Sequence, residues 1–309
     1  MLSRVAENIY WLARYVERAE NTARLINVNT NLMLDLPKIA QPGWEPIIDI
    51  LGAKAGNSES PEDTDERSVL RYLISDHLIP SSIISCLVMA RENGRTIRDI
   101  IPREAWEAVN DLYIFAKDQA QKGISKRGRY EYLKGVITGA QTLTGILAGT
   151  MLHDEGYSFL KMGRNLERAD MTTRLIDVRT ANLLESTHEE LTPFENIQWM
   201  SVLKSLTGYQ MYRRTVQARI QRSEVLRFLL QEKRFPRAFY HATCEVEDCL
   251  RSLPHSDQPL KGLKKLQDKV LKANPDRLKQ GQLHKFIDQL QLGLANVNNA
   301  IDSTYFLHD

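Results

Sequence analysis

Two stretches of the chain place the same charged side chains at the same spacing: RYVERAENTARLINV at 14–28 and RNLERADMTTRLIDV at 164–178. Their shared frame, R-x-x-E-R-A-x-x-T-x-R-L-I-x-V, makes Arg14, Glu17, Arg18 and Arg24 recur as Arg164, Glu167, Arg168 and Arg174. A carboxylate set among guanidiniums can act as a general base while the planar forks hold an anionic substrate. Glu17 and Glu167 are therefore the candidate catalytic residues, with Arg14, Arg18, Arg24 and Arg91 as an anion clamp. The same residues also suit a buried structural network, in which stripping away one partner costs roughly 3–5 kcal/mol. A third reading is a solvated face carrying i,i+4 pairs, Glu20 with Arg24 and Asp170 with Arg174. Each such pair contributes on the order of 0.5 kcal/mol, too little to hold four charges in place while their neighbours drift. That favours a constrained role, structural network or ligand site.

Helical spacing must position these groups. With 3.6 residues per turn, Val5, Leu12, Tyr15, Val16, Ala19, Ala23 and Ile26 gather on one side of a helix. Tyr10, Arg14, Glu17, Arg18, Asn21 and Arg24 gather on the other, so the helix is amphipathic. A second charged cluster, Arg91, Glu92, Asn93 and Arg95 in ARENGR, stands where the other half of the chain has Glu247, Asp248, Cys249 and Arg251. One motif kept in both halves and another allowed to diverge suggests a single working site, with ARENGR in the specialised half. An exposed charged helix face explains ARENGR equally well.

The frame is part of a longer repeat. VLRYLISDHLIP at 69–80 aligns without gaps with VLRFLLQEKRFP at 225–236, Trp44 pairs with Trp199, and LHD occurs at 152–154 and 307–309. The chain accordingly reads as two diverged copies, 1–154 and 155–309, each of four to five helices. The expected class is all-α: one compact structural domain, a pseudo-two-fold helical bundle. Breaks are expected at 36–46, 52–66, 100–104, 122–129, 186–193, 252–259 and 273–282. Thr192-Pro193-Phe194-Glu195 carries the signals of a helix start, and the acidic, Ser-rich stretch after Gly52 reads as a mobile loop.

Several function classes are disfavoured. Across 309 residues, 41 Lys+Arg against 39 Asp+Glu leave a net charge of +2, which gives no general attraction to nucleic acid or an anionic membrane. GVITGAQTLTGILAGTML at 135–152 has Gly-x-x-x-Gly spacing twice, yet Thr138, Gln141, Thr142, Thr144 and Thr150 make it too polar to span a bilayer. It reads as a closely packed helix. Cys86, Cys244 and Cys249 form no disulfide framework, and Arg4, Glu7 and Arg14 interrupt any signal-peptide core, so a cytoplasmic setting is expected. His241, Glu245 and Asp248 share a helix face, but no second His-bearing helix or Cys pair supports a metal site. No Gly-rich phosphate loop and no G-x-S-x-G elbow occurs, so neither a metal nor a cofactor is expected.

MLSRVAENIYWLARYVERAENTARL at the start of the chain resembles the N-terminal signature of the bacterial alpha-E family. ARENGRTIRD followed by EAWEAVNDLY resembles that family's next motif; GRNLERADMTTRL, GYQMYRR and VLRFLLQEKRFPRAF resemble its later blocks. Gly94 departs from the pattern, where a small helix former such as Ala is expected. The resemblance covers nearly the whole chain and implies company more than chemistry. Family members accompany or are fused to circularly permuted ATP-grasp proteins, often near a transglutaminase-like peptidase. The implied role is a helical, non-catalytic partner of an ATP-grasp amidoligase in bacterial peptide synthesis or modification. It would bind the ligase, an anionic peptide or amino-acid substrate, or both. The alternatives are an enzyme of the same pathway built on the Glu17/Glu167 cleft, and a structural assembly protein that forms homo-oligomers.

Overall fold

A computed structural model of the protein describes residues 1–51, 65–185, 192–216 and 219–306. The acidic stretch after Gly52 and the LHD at 307–309 lie outside the described residues, as do the side chains of Thr192 and Pro193. Among the described residues the fold is all-helical, with no strand. The first sequence half forms α1 (Ser3–Asp35), α2 (Glu45–Ile50), α3 (Glu66–Ser75), α4 (Ile83–Thr96), α5 (Arg103–Asp118), α6 (Ala120–Ile124) and α7 (Arg129–Thr150). The second forms α8 (Glu155–Glu185), α9 (Thr192–Ser205), α10 (Tyr209–Thr215), α11 (Arg222–Gln231), α12 (Phe239–Arg251), α13 (Asp257–Lys272) and α14 (Gln280–Tyr305). Seven α-helices per half among the described residues exceed the expected four to five. The surplus comes from short pieces, such as α6 in the Lys- and Gly-rich stretch before Arg129 and α10 in GYQMYRRT.

Local chemistry sets several helix starts. Asp65 accepts the backbone N–H groups of Arg67 (2.7 Å) and Ser68 (3.2 Å) and so caps α3. Ser82 caps α4 through the N–H of Ser85 at 3.1 Å. Asp154, the last residue of the first LHD, caps α8 by accepting from Gly156 and Tyr157 at 2.8 and 3.3 Å. Each side chain satisfies donors that the first helical turn leaves without partners.

Two compact units result. The first comprises Met1–Asn27, Ile47–Arg164 and Tyr305–Asp309; the second comprises Val28–Pro46 and Asn165–Thr304. In the first unit α7 lies close against α5. A side-chain carbon at Gly139 would sit 2.7 Å from Leu112 Cδ1, and one at Gly135 would enter the Phe115 ring. The first Gly-x-x-x-Gly pair thus serves close packing within a protein, whereas Gly145 and Gly149 have nothing within 4 Å of an added Cβ. No described helix is long and apolar enough to cross a membrane.

Buried Arg129, at the start of α7, donates to Glu66 of α3 at 2.6 Å and to the Ile124 carbonyl at 3.4 Å. In the second unit Leu32, Leu36 and Ala40 pack with Phe194 and Ile197. Phe228 stacks on Phe235 at 4.8 Å and meets Tyr212 edge-on at 5.6 Å. Gly293 approaches Leu266 so closely that a Cβ there would overlap its side chain.

Gly94 offers a test of this packing. An added Cβ would sit 3.5 Å from Trp106 and Val109, an ordinary contact. Gly94→Ala should therefore stabilise the protein by about 0.5–1 kcal/mol, the usual advantage of alanine over glycine in a helix. Chemical denaturation against the parent protein measures it.

Candidate functional site

Half of the polar side of α1 is buried, while Arg14, Arg18 and Arg24 are half-buried. Tyr10, Glu17 and Asn21 are 1%, 3% and 2% exposed, and Glu20 is buried with them. A wheel reports the period of the polar residues but not what packs upon them, and here neighbouring helices cover that side too. Leu143, Thr144 and Leu147 of α7, with Leu160 and Arg164 of α8, surround a void that Leu12, Ala13, Val16 and Glu17 complete. Its volume is about 20 Å³. That is room for one water molecule and far below the size of a substrate pocket. The solvated-face reading fails for Glu17, and the void it borders is too small for a substrate.

The surrounding arginines are engaged locally. Arg14 donates to the Tyr10 hydroxyl at 3.3 Å, and its guanidinium lies 5.2 Å from the Trp11 ring centre. Arg18 lies 5.8 Å from the Tyr15 ring. Arg24 pairs with Glu20 at 2.7 Å, and both side chains are largely buried, so this is not the weak surface pair that i,i+4 spacing suggests. The Nε of Arg164 is buried and meets no hydrogen-bond acceptor among the described residues.

In the second unit Glu167 is 2% exposed, Asn165 is buried, and Arg168 is half-buried. Arg174 pairs with Asp170 at 2.7 Å. The frame has one more member that works, and charge-based reading passes over it. Thr22 donates its hydroxyl to the carbonyl of Ser81 at 3.1 Å, and Thr172 donates to the carbonyl of Arg237 at 2.8 Å. Both threonine side chains are buried, and both acceptors directly follow the proline that closes the VLR block. The signal was the Thr of the repeated frame itself.

The ARENGR cluster belongs to a different contact. Arg91 of α4 donates to Asn110 of α5 at 2.8 Å and lies 5.3 Å from the Tyr113 ring. Glu92 accepts from Arg91 at 3.3 Å and from Arg95 at 2.9 Å. Asn93 is half-buried, and its Nδ2 finds no partner among the described residues. Arg91 thus latches α4 to α5, and none of its hydrogen-bond partners is a residue of the α1 motif.

Neither half of the chain announced a cluster in the second unit. His284 on α14 meets Asp177 on α8 through Nδ1 at 2.6 Å, with Asp288 3.6 Å from Nε2. The three ligand atoms lie within 4.8 Å of one another. A protonated imidazole between two carboxylates accounts for the arrangement. Its hydrogen bond with Asp177 raises the His284 pKa, while burial raises that of Asp177. A raised histidine pKa means that stability is fully present below the unfolded value of about 6.5 and is lost as pH rises through the folded value. His284→Ala should flatten the pH dependence of stability just above that value. The effect should be only a few tenths of a kcal/mol, because His284 is half-exposed. Denaturation midpoints across pH measure it. His241 of the HATCEVED stretch instead uses Nδ1 on the Lys233 carbonyl at 2.6 Å and leaves Glu245 3.9 Å from Nε2.

The chain is similar to uncharacterized proteins of Mycobacterium bovis and of two Mycobacterium tuberculosis strains. Each is 21% identical over 97% of this chain, which spans only 36% of the relative's length. No solved structure matches. A family described as a predicted alpha-helical domain with a conserved ER motif matches residues 1–306. The Glu17-Arg18 and Glu167-Arg168 pairs supply two Glu-Arg steps in one repeated frame. The chain belongs to the Alpha-E family.

Proposed function

We propose that the protein is a non-catalytic helical partner module, and that its Glu-Arg helices hold the module together rather than perform chemistry. The observation that carries this reading is the burial of Glu17 beside a void of about 20 Å³. A general base must reach the proton it removes, and the void this carboxylate borders has no room for a substrate. The relatives support a module that works beside others, since an equivalent of this chain fills 36% of their length. The partner we assign is a circularly permuted ATP-grasp amidoligase acting on peptides or amino acids, with a transglutaminase-like peptidase in the same bacterial, cytoplasmic pathway. The three unbridged cysteines fit that compartment. Co-purification with a neighbouring ATP-grasp protein tests the assignment. A stable complex that raises ligation is expected; no complex and no effect on ligation would end it.

We also propose that the module arose by duplication, with α1, α2, α3, α4, α5 and α7 corresponding to α8, α9, α11, α12, α13 and α14. Three matched features support it: the Thr22 and Thr172 hydrogen bonds, the Glu20–Arg24 and Asp170–Arg174 pairs, and the approaches of Gly139 to Leu112 and Gly293 to Leu266. Thr22→Val and Thr172→Val should each cost about 1–2 kcal/mol, because each strands a buried carbonyl. Similar losses in denaturation experiments are the expected outcome; a loss at one site alone would count against equivalent roles.

A further inference from the structure

The first unit holds a cavity of about 750 Å³ between α5, α6 and α7, well away in sequence from the Glu-Arg motif. Its size falls among small-molecule sites, which run from about 300 to 1,000 Å³. We propose that this cavity binds a small anionic molecule with a flat apolar body.

The floor supplies the apolar part. Phe115 of α5 and Tyr132 of α7 stack with ring centres 6.0 Å apart and planes 15° from parallel. The Tyr132 hydroxyl donates to the Ala116 carbonyl at 3.3 Å, which fixes the ring and leaves no dangling phenol. Gly135 lies on the same wall, and any larger residue there would drive into Phe115. Gly123 likewise leaves space that the Tyr132 ring occupies. Flat surface is thus built from residues whose neighbours permit it.

The rim supplies the charge. Lys122, Arg127 and Lys134 line the cavity against a single acid, Glu131. Two nearby cations share one counter-charge: Lys126 lies 3.3 Å from Glu66, and Arg129 pairs with the same carboxylate. Among the described residues Lys122 and Arg127 have no such carboxylate, which leaves their charges for a ligand. Ser125 and Gly128, beside them, are ordered by their own turn: Ser125 donates to the Lys122 carbonyl at 3.0 Å and accepts from the Gly128 N–H at 3.3 Å. A guanidinium and an ammonium over an aromatic floor recognise a carboxylate or phosphate attached to a planar group.

The site is confined to one half of the chain. In the register that pairs Leu112 with Leu266 and Gly139 with Gly293, Phe115 corresponds to Lys269 and Gly135 to Gln289. The aromatic floor and its glycine are therefore features of the first half. This assignment stands apart from the partner reading, and either can fail without the other.

Calorimetric titration of the full chain with naphthalene-2-carboxylate and with its neutral carboxamide tests it. The carboxylate should bind at least about tenfold more tightly, a difference of about 1.4 kcal/mol. The exposed double variant Lys122→Ala/Arg127→Ala should erase that preference while the melting temperature holds. Thr138→Phe, which fills the cavity from its exposed wall, should weaken both probes about tenfold or more. A naphthyl phosphate arm identifies which anion the rim prefers, and either preference supports the site. Equal affinity for the charged and neutral probes would overturn the proposal. So would binding that Thr138→Phe leaves intact, or no binding of any probe at about 1 mM, where affinity is near −4 kcal/mol.

Discussion

Replacing Gly163 with alanine should destabilise the first unit by about 2 kcal/mol and lower its melting temperature by about 4–8 °C. Gly163 lies in α8 where that helix passes over the backbone of α1. An added Cβ would overlap the Tyr10 carbonyl oxygen and come within 3.1 Å of its carbon and 3.3 Å of Arg14 Cγ. The first two obstacles are backbone atoms, and a carbonyl inside a helix cannot turn aside without surrendering its hydrogen bond. Alanine's better helix propensity returns about 1 kcal/mol, which the overlap exceeds. The same substitution at Gly94 meets only ordinary contacts and should stabilise. Opposite signs from one chemical change, read by thermal melting of the two variants, isolate the close approach of α1 and α8. A Gly163→Ala protein as stable as the parent would place α8 further from α1 than the structure does.

Glu17→Ala should cost about 3–5 kcal/mol, the expected result of stripping one charge from a buried network. Glu17 is almost fully enclosed, in a wall shared with Arg164, Leu143 and Leu160. Removing the carboxylate takes a buried charge from the wall it shares with the Arg164 guanidinium and enlarges the void that Glu17 borders. Glu17→Gln keeps the shape and part of the hydrogen bonding, so it should cost less. Urea denaturation of both variants, fitted to the transition of the first unit, measures the two losses. A cost below about 1 kcal/mol for Glu17→Ala would mean a solvated side chain.

Much of the scaffold is legible in the sequence. Stretches rich in Pro, Gly and charge at 36–46, 100–104, 252–259 and 273–282 each hold a junction between α-helices and run into the first turn of the next, with a short 3-10 turn at Lys38–Ala40 in the first, because those residues disfavour helical backbone or cap its ends. The length of α1 follows from an unbroken helical period. The environment of its polar side does not follow. Periodicity separates polar from apolar residues, and a core helix clasped from both sides has the same period as one floating on a surface. Burial of Glu17 is a tertiary fact, with α7 and α8 supplying the far wall of the void it borders. Thr22 and Thr172 escaped notice for a related reason. A helix-interior threonine has no distinctive local signature, and its acceptors lie 59 and 65 residues away. The His284–Asp177 pair spans 107 residues and is equally invisible locally. ARENGR drew attention through its charge, yet its arginine serves the α4–α5 contact. The cavity beside α5 and α7 rests on Phe115, Tyr132 and Gly135, residues that read as ordinary core.

The most direct test of the structural role of the Glu-Arg motif is peptide-ligation activity per folded molecule for a Glu17→Gln/Glu167→Gln double variant, assayed with the proposed ATP-grasp partner. A scaffold role predicts a measurably less stable protein whose folded fraction supports ligation at the parent rate. A protein of parent stability that has lost ligation would contradict it and return the two glutamates to catalysis.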